Sequence, residues 1–471
     1  MVNSTYVIST ILTLLMVSLF GLRASKKIKN SSDFAVGGRR LSSSQVAGSI
    51  IATIVGGAST IGTAQLAFSK GINAMWFTLG ASIACLFLGM FLARPLRRAE
   101  VDTISEFLVR YYGKKAGIIT SILTSMAIFI HITGQMLSSV AIFTSMFFMK
   151  ANIAVITTMF LIVSYIIFGG FWGTSIVGIL KTFLLYFTLI FSGVLVLREV
   201  GGMYGIITAL PEEPWFNLFS GGKWEGIAQG FSMVVGISAT QTYLQAMFAG
   251  KNEKVSRNGA FISAFLIPPI GVICSLIGMF MRINHPNILS KQALPSFILN
   301  YLNPWIGGIM IAALIISVVG TGAGLTLGIS TMISRDIYSK VINPEADDKK
   351  QLIVLRISVF SVSFLTMIMV FFNIDSLILK WGFLSMALRG TVIFFPLILA
   401  IIFKEKVNKR AGIVSMASAP LVTIILAVTN VISIHPLYIG LATSMGVYLV
   451  GCIISVTSSY IKKGLTNLSI H

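Results

Sequence analysis

The stretch Ala52-Thr53-Ile54-Val55-Gly56-Gly57-Ala58-Ser59-Thr60-Ile61-Gly62-Thr63 decides how the rest of the chain is read. It sits inside an apolar run over 43–68, long enough to cross a hydrocarbon core of ~30 Å as a helix. A glycine pair among hydroxyl residues at that depth weakens the helix. Backbone groups released inside a membrane must be buried in protein or line a cavity. A second stretch, Val234-Val235-Gly236-Ile237-Ser238-Ala239-Thr240-Gln241-Thr242, carries a related pattern: Val55-Gly56-x-x-x-Thr60 and Val235-Gly236-x-x-x-Thr240 lie 180 residues apart.

Outward from these two stretches the chain is apolar runs joined by short polar segments. Runs near 5–24, 43–68, 73–93, 117–147, 152–168, 172–197, 226–247, 259–281, 306–333, 351–372, 375–402, 411–432 and 436–460 give about 13 transmembrane helices. The pair 152–168 and 172–197 is joined only through Gly169-Gly170 and its neighbours. Composition agrees: 11% of residues are charged and mean hydropathy is +0.90, against roughly 25% charged residues in soluble domains. The chain therefore reads as an all-α polytopic membrane protein with a single transmembrane domain over 1–471.

Charge fixes an expected orientation. Alternate connecting segments hold 25 Lys and Arg on one side and 6 on the other, and the richer side is cytoplasmic by the positive-inside rule. Residues 1–10 have no Lys or Arg, whereas Arg23, Lys26, Lys27 and Lys29 follow the first run. That is the reverse of a signal peptide, so the N-terminus is expected outside, the C-terminus cytoplasmic, and the protein in the cell membrane. The net charge of +20 is dispersed among these loops, which points away from a nucleic-acid partner. No obligatory protein partner is evident, and the partners expected are the lipid bilayer and a small solute. In this orientation the runs 43–68 and 226–247 cross in opposite senses. Interrupted helices at matching places in oppositely directed halves mark an inverted-repeat transporter.

Other classes lack their chemistry. Cys85, Cys274 and Cys452 lie in apolar runs without metal-ligand spacing. Only His131 among four histidines is deep in a span, with no carboxylate or cysteine set beside it, so an enzyme is not expected. No channel filter or charge ring is visible. A solute-sensing membrane protein without transport is the alternative of another class.

Several motifs occur in order along nearly the whole chain: Asp33-Phe34-x-x-Gly37-Gly38-Arg39, Arg94-Pro95-Leu96-Arg97, Thr103-Ile104-Ser105-Glu106-Phe107-Leu108 with Tyr112-Gly113, Gly169-Gly170-Phe171-Trp172, Gln241-x-Tyr243-x-Gln245-x-x-x-Ala249-x-Lys251, and Ser330-Thr331-x-x-x-Arg335-Asp336-Ile337-Tyr338. In these the chain resembles the sodium/solute symporter family, relatives of the proline, glucose, choline, pantothenate and sialic acid transporters. The resemblance implies a LeuT-like fold of two inverted five-helix repeats, 43–197 and 226–402, with the peripheral helix 5–24 before them and two peripheral helices over 411–460 after. It implies secondary active import of a small polar or anionic solute by alternating access, driven by a cation gradient, with sodium as the cofactor ion. The sodium ligands it implies are the carbonyls of Ala58 and Ile61, the carbonyl of Ser317, and hydroxyls at positions 320 and 321. Thr321 supplies one hydroxyl; Gly320 cannot supply the other. Where the family usually carries an Asp and, three residues on, a Gln, this chain has Gly178 and Lys181.

Lys181 lies mid-span, where a lysine costs ~3 kcal/mol on insertion scales. Three readings stand open. The ammonium replaces the ion in a proton-coupled or sodium-independent transporter; the side chain snorkels toward the surface and sodium still binds; or it pairs with an anionic solute. Arg389 lies near the centre of 375–402, with Lys380 two to three turns outward. No acidic residue falls at mid-membrane, so a carboxylate-bearing or zwitterionic solute is one partner for Arg389, and neighbouring carbonyls are the other. Further candidates for the solute site are Thr60, Thr63 and Gln65 after the first break, Ser238, Thr240 and Gln241 at the second, and His131 with Gln135 on one face of the fourth span.

Overall fold

The computed structural model describes residues 4–25, 39–429 and 435–468. Asp33, Phe34, Gly37 and Gly38 of the first motif lie outside the described residues. Those described are helical, without strands. The helices used below are α1 (Ser4–Ser25), α2 (Ser43–Ile54), α3 (Thr63–Lys70), α4 (Trp76–Phe87), α5 (Ile104–Tyr112), α6 (Lys114–Met146), α7 (Ala151–Glu199), α8 (Lys223–Ile237), α9 (Gln241–Ala249), α10 (Glu253–Leu266), α11 (Pro268–Asn284), α12 (Pro304–Met332), α13 (Asp348–Phe371), α14 (Ile378–Phe403), α15 (Lys409–Thr429) and α16 (Pro436–Leu468).

Both expected interruptions are present. Helix α2 opens on a capping box, in which Ser42 and Gln45 satisfy each other's backbone N–H groups. It ends when Val55 leaves helical geometry (φ −83°, ψ 87°). The Gly56 N–H bonds to the Ile54 carbonyl at 3.1 Å, so it no longer reaches Ala52 four residues back. The chain resumes through a π turn, Ala58–Gly62, into α3. The second run breaks between α8 and α9, where Thr240 is extended (φ −95°, ψ 121°). Every residue from 55 to 62 and from 234 to 241 is buried, which meets the condition that freed backbone be enclosed by protein.

Nine helical stretches among the described residues are long and apolar enough to cross a membrane, and Ser4–Leu19 and Ala151–Ile167 are shorter apolar helices. The broken runs account for much of the difference from thirteen, since each is divided into short pieces. Both members of the expected pair 152–168 and 172–197 fall within α7, which folds back on itself. In a straight helix Ile162 and Lys181 would be about 28 Å apart, yet both touch one turn of α12. A methyl group on Gly322 would stand 2.9 Å from Ile162, and Lys181 Nζ is 3.5 Å from the Thr321 hydroxyl. The two arms of α7 therefore flank α12 as two antiparallel passes.

Helix α12 is the centre of the molecule, buried from Met310 to Met332, and packs on α1, α2, α6 and both arms of α7. Near the basic end, α9 is fastened to the chain entering α2. Leu41 and Gly250 form an isolated parallel bridge, with Leu41 N–H bonded to Ala249 O at 3.1 Å and Lys251 N–H to Leu41 O at 3.0 Å.

Candidate functional site: two buried cations beside the helix breaks

The first break produces a cage of oxygens filled by Lys181. Its Nζ donates to the carbonyls of Ala52 and Val55, both at 2.6 Å, and lies 3.4 Å from the Ser317 carbonyl and 3.5 Å from the Thr321 hydroxyl. The cage is knitted across the helices. Ser317 Oγ donates to Val55 O at 2.7 Å, and Thr321 Oγ1 donates to Ala52 O at 2.9 Å. Lys181 is 1% exposed, so it does not snorkel to a surface. Gly178, one turn earlier on α7, makes the approach possible. A Cβ there would stand 2.5 Å from both the Ala52 side chain and the Gly48 carbonyl.

The ligand set expected for sodium is thus displaced. The first-break carbonyls meeting Ser317 and Thr321 belong to Ala52 and Val55, not to Ala58 and Ile61. The reason is local: an interrupted helix frees the carbonyls on the N-terminal side of the break, four residues before the donors that turn away. Beyond it the π turn re-forms hydrogen bonds, and the Ala58 carbonyl accepts from the Thr63 hydroxyl at 3.1 Å. The residues present do not fit a sodium ion here. The oxygens already accept from an ammonium, Gly320 offers no hydroxyl, and no carboxylate among the described residues bonds to Lys181.

Arg389, fully buried on α14, forms the second centre. Its Nε donates to Ser385 O at 3.1 Å, Nη1 to Thr240 Oγ1 at 2.7 Å, and Nη2 to His131 Nδ1 at 2.8 Å. A guanidinium only donates, so His131 Nδ1 accepts and the ring is neutral, with its proton on Nε2. Thr240 passes its own hydroxyl hydrogen to Gly236 O at 2.5 Å. The Tyr243 hydroxyl also faces the guanidinium. Ser385, Thr240 and His131 are neutral, and they take three of the five N–H donors of an arginine.

The remaining candidates divide. Gln135 Oε1 accepts from Gly57 N–H at 2.8 Å, holding the first break open from α6, while its Nε2 has no partner. The hydroxyls of Ser238 and Tyr243 are also buried without partners. Thr60 and Thr63 turn back on their own backbone, to Gly56 O at 2.9 Å and Ala58 O at 3.1 Å. Gln65 Oε1 accepts from Ile378 N–H at 3.2 Å, tying α3 to the start of α14. Gln241 departs from the solute-binding expectation. Its Oε1 accepts from Ile104 N–H at 2.8 Å and its Nε2 donates to Asp102 O at 2.9 Å. It clamps α9 to the loop before α5, where the Asp102 carboxylate also bridges Arg39 at 3.1 Å and Arg335 at 2.5 Å.

A cavity of about 460 Å³ opens at the other end of α14, lined among others by Gln65, Lys70, Glu225, Lys380 and His435. Lys380 and Arg389 are nine residues apart and so about 180° around a helix; α14 separates the cavity from the arginine. No group of His, Cys, Asp and Glu among the described residues could hold a metal.

Comparisons with known proteins agree with this architecture. Residues 34–418 match the sodium:solute symporter family. The high-affinity proline transporter PutP of Bacillus subtilis (strain 168) is 22% identical over 414 residues, 84% of this chain and 87% of that protein. A Na+-coupled sialic acid symporter, solved substrate-bound and outward-open, superposes with a TM-score of 0.79 at 18% identity, covering 95% of this chain and 97% of that one. A nucleobase-cation-symport-1 family transporter, closed around bromovinylhydantoin, gives 0.61 at 11% identity, covering 91% and 96%.

Proposed function

The chain belongs to the sodium:solute symporter family and is a cation-driven secondary transporter of LeuT-like fold, and from that premise we propose that its solute bears a carboxylate, free or as part of a zwitterion, held at Arg389. The observation that carries this reading is a fully buried guanidinium whose partners Ser385, Thr240 and His131 are all neutral. A buried charge without an opposite charge is costly. A carboxylate matches the guanidinium fork and can take two N–H bonds. Gln135 Nε2, Ser238 Oγ and Tyr243 OH supply further polar groups for such a ligand. His131 positions the arginine.

The same reading places 43–197 and 226–402 as two inverted repeats, each opening with its broken helix, around which the bundle rocks to expose the site alternately. Gln241 and Asp102 close the basic side, and the cavity at Lys380 belongs to the opposite side. The distribution of Lys and Arg supports an N-terminus outside the cell membrane and a cytoplasmic C-terminus.

Uptake into proteoliposomes tests the solute class, using radiolabelled amino acids, monocarboxylates, sugars and amines. The reading expects carboxylate-bearing compounds alone to be accumulated, and their uptake to be lost in Arg389→Gln. Accumulation of a sugar or amine that survives Arg389→Gln would refute it.

A further inference from the structure

We propose that the ammonium of Lys181 is the resident cation of the cage between α2 and α12, so that this transporter runs without sodium at that site. The occupant of this cage is independent of the solute assigned above.

The geometry is that of a cation seat. Two main-chain carbonyls released by a helix break lie 2.6 Å from Nζ, with a third carbonyl and a hydroxyl at 3.4 and 3.5 Å. All four are oxygens from two different helices, and the tethered ammonium sits among them as a free ion would. Its three N–H donors are met by this set.

The surroundings permit no second cation. Helices α2 and α12 contain no ionisable side chain. Among the other elements packed on α7, α1 brings Tyr6, bonded to Ile298 O and Leu302 O, and α6 brings His131, bonded to Arg389, with Lys114 and Lys115 at its start. Helix α11 brings Cys274 and Arg282, and α13 brings Asp348, Lys349, Lys350 and Arg356. On α7 itself are Lys150 just before its start, Tyr165, Tyr186, Arg198 and Glu199. None of these bonds to Lys181. The Tyr165 hydroxyl faces Gly320, 3.7 Å from where a Cβ would stand. A sodium ion entering the cage would meet the ammonium at contact distance with no carboxylate to offset the repulsion.

Three positions fit one another. Gly178 lets α7 approach α2 closely enough for a lysine one turn on to enter the cage. Lys181 fills it. Gly320 leaves out a hydroxyl that a tethered cation does not need, and the space beside it is open enough for a small side chain.

The test needs no solute. Purified full-length protein is titrated with ²²Na⁺ by scintillation proximity, and its melting temperature is recorded in NaCl and in choline chloride. The unaltered protein should show no saturable ²²Na⁺ binding and the same melting temperature in both salts. The variant Lys181→Gln with Gly320→Ser, which removes the ammonium and returns a hydroxyl, should bind ²²Na⁺ saturably and melt higher in NaCl. Saturable ²²Na⁺ binding by the unaltered protein overturns the proposal even if the variant does not fold. A folded variant that gains neither sodium binding nor a response to sodium overturns the role of Lys181.

Discussion

Lys181 and Arg389 are both fixed cations in the interior, and the difference between them is the kind of oxygen and nitrogen they meet. Lys181 is held by main-chain carbonyls of a broken helix, acceptors that substitution cannot remove and that exist only while the break is open. Arg389 is held largely by side chains, Thr240 and His131, with one carbonyl from its own helix. A compact ammonium suits a roughly spherical cage; a planar fork suits directed partners. The first centre is closed on itself. The second spreads over three helices, with Thr240, His131 and the Tyr243 hydroxyl around it. Equal charge at equal burial therefore does not mean equal surroundings: one centre ties two helices together through main-chain carbonyls, and the other rests mainly on neutral side chains.

The largest effect should come from the arginine centre. Arg389→Gln should reduce carboxylate uptake by about 100-fold or more, since hydrogen bonds to a buried charge contribute ~1.5–3 kcal/mol each. Arg389→Lys should recover only part, because the ammonium cannot reproduce the fork. Initial-rate uptake measures both, and near-normal rates in the glutamine variant would erase the contrast. Gly178→Asp comes next. A side chain there meets Ala52 and the Gly48 carbonyl at 2.5 Å, and overpacking of this kind costs ~1–3 kcal/mol. A lower melting temperature should follow, together with loss of uptake at unchanged solute affinity. Gln241→Ala should remove two bonds to the loop before α5, ~1 kcal/mol each. Labelling of a cysteine placed at Thr242 from the basic side should rise by about thirtyfold in consequence. The smallest effect should be that of His131→Asn, in which a side-chain carbonyl can still accept from Arg389. Uptake should fall by less than about tenfold, whereas His131→Phe should approach the loss seen in Arg389→Gln.

Much of the architecture was legible because its causes are local. Glycines with hydroxyl neighbours at 56–63 and 236–242 announce weak helices, and the structure breaks α2 at Val55 and begins α9 after Thr240. Lys181 and Arg389 stand out in the sequence because charge in an apolar run is conspicuous. What was not legible is register and partnership. The family resemblance implies the carbonyls of Ala58 and Ile61. The freed carbonyls lie on the other side of the glycine pair, at Ala52 and Val55, and counting back four residues from Gly56 would have found Ala52. Gln241 reads as a solute ligand because it borders a break; that it grips Ile104 and Asp102, more than a hundred residues away in sequence, depends on tertiary approach.

The parallel bridge between Leu41 and Gly250 has a mechanical consequence. It couples the chain leading into one fractured rod to the end of the other through two main-chain hydrogen bonds, independent of any side chain. The basic-side halves of the two rods are thereby harnessed: a pull on one is shared by its counterpart. Opening on that face must either swing both together as a single leaf or first unfasten this small clasp, and a mutation elsewhere in the lining can alter the speed of the movement without altering what moves.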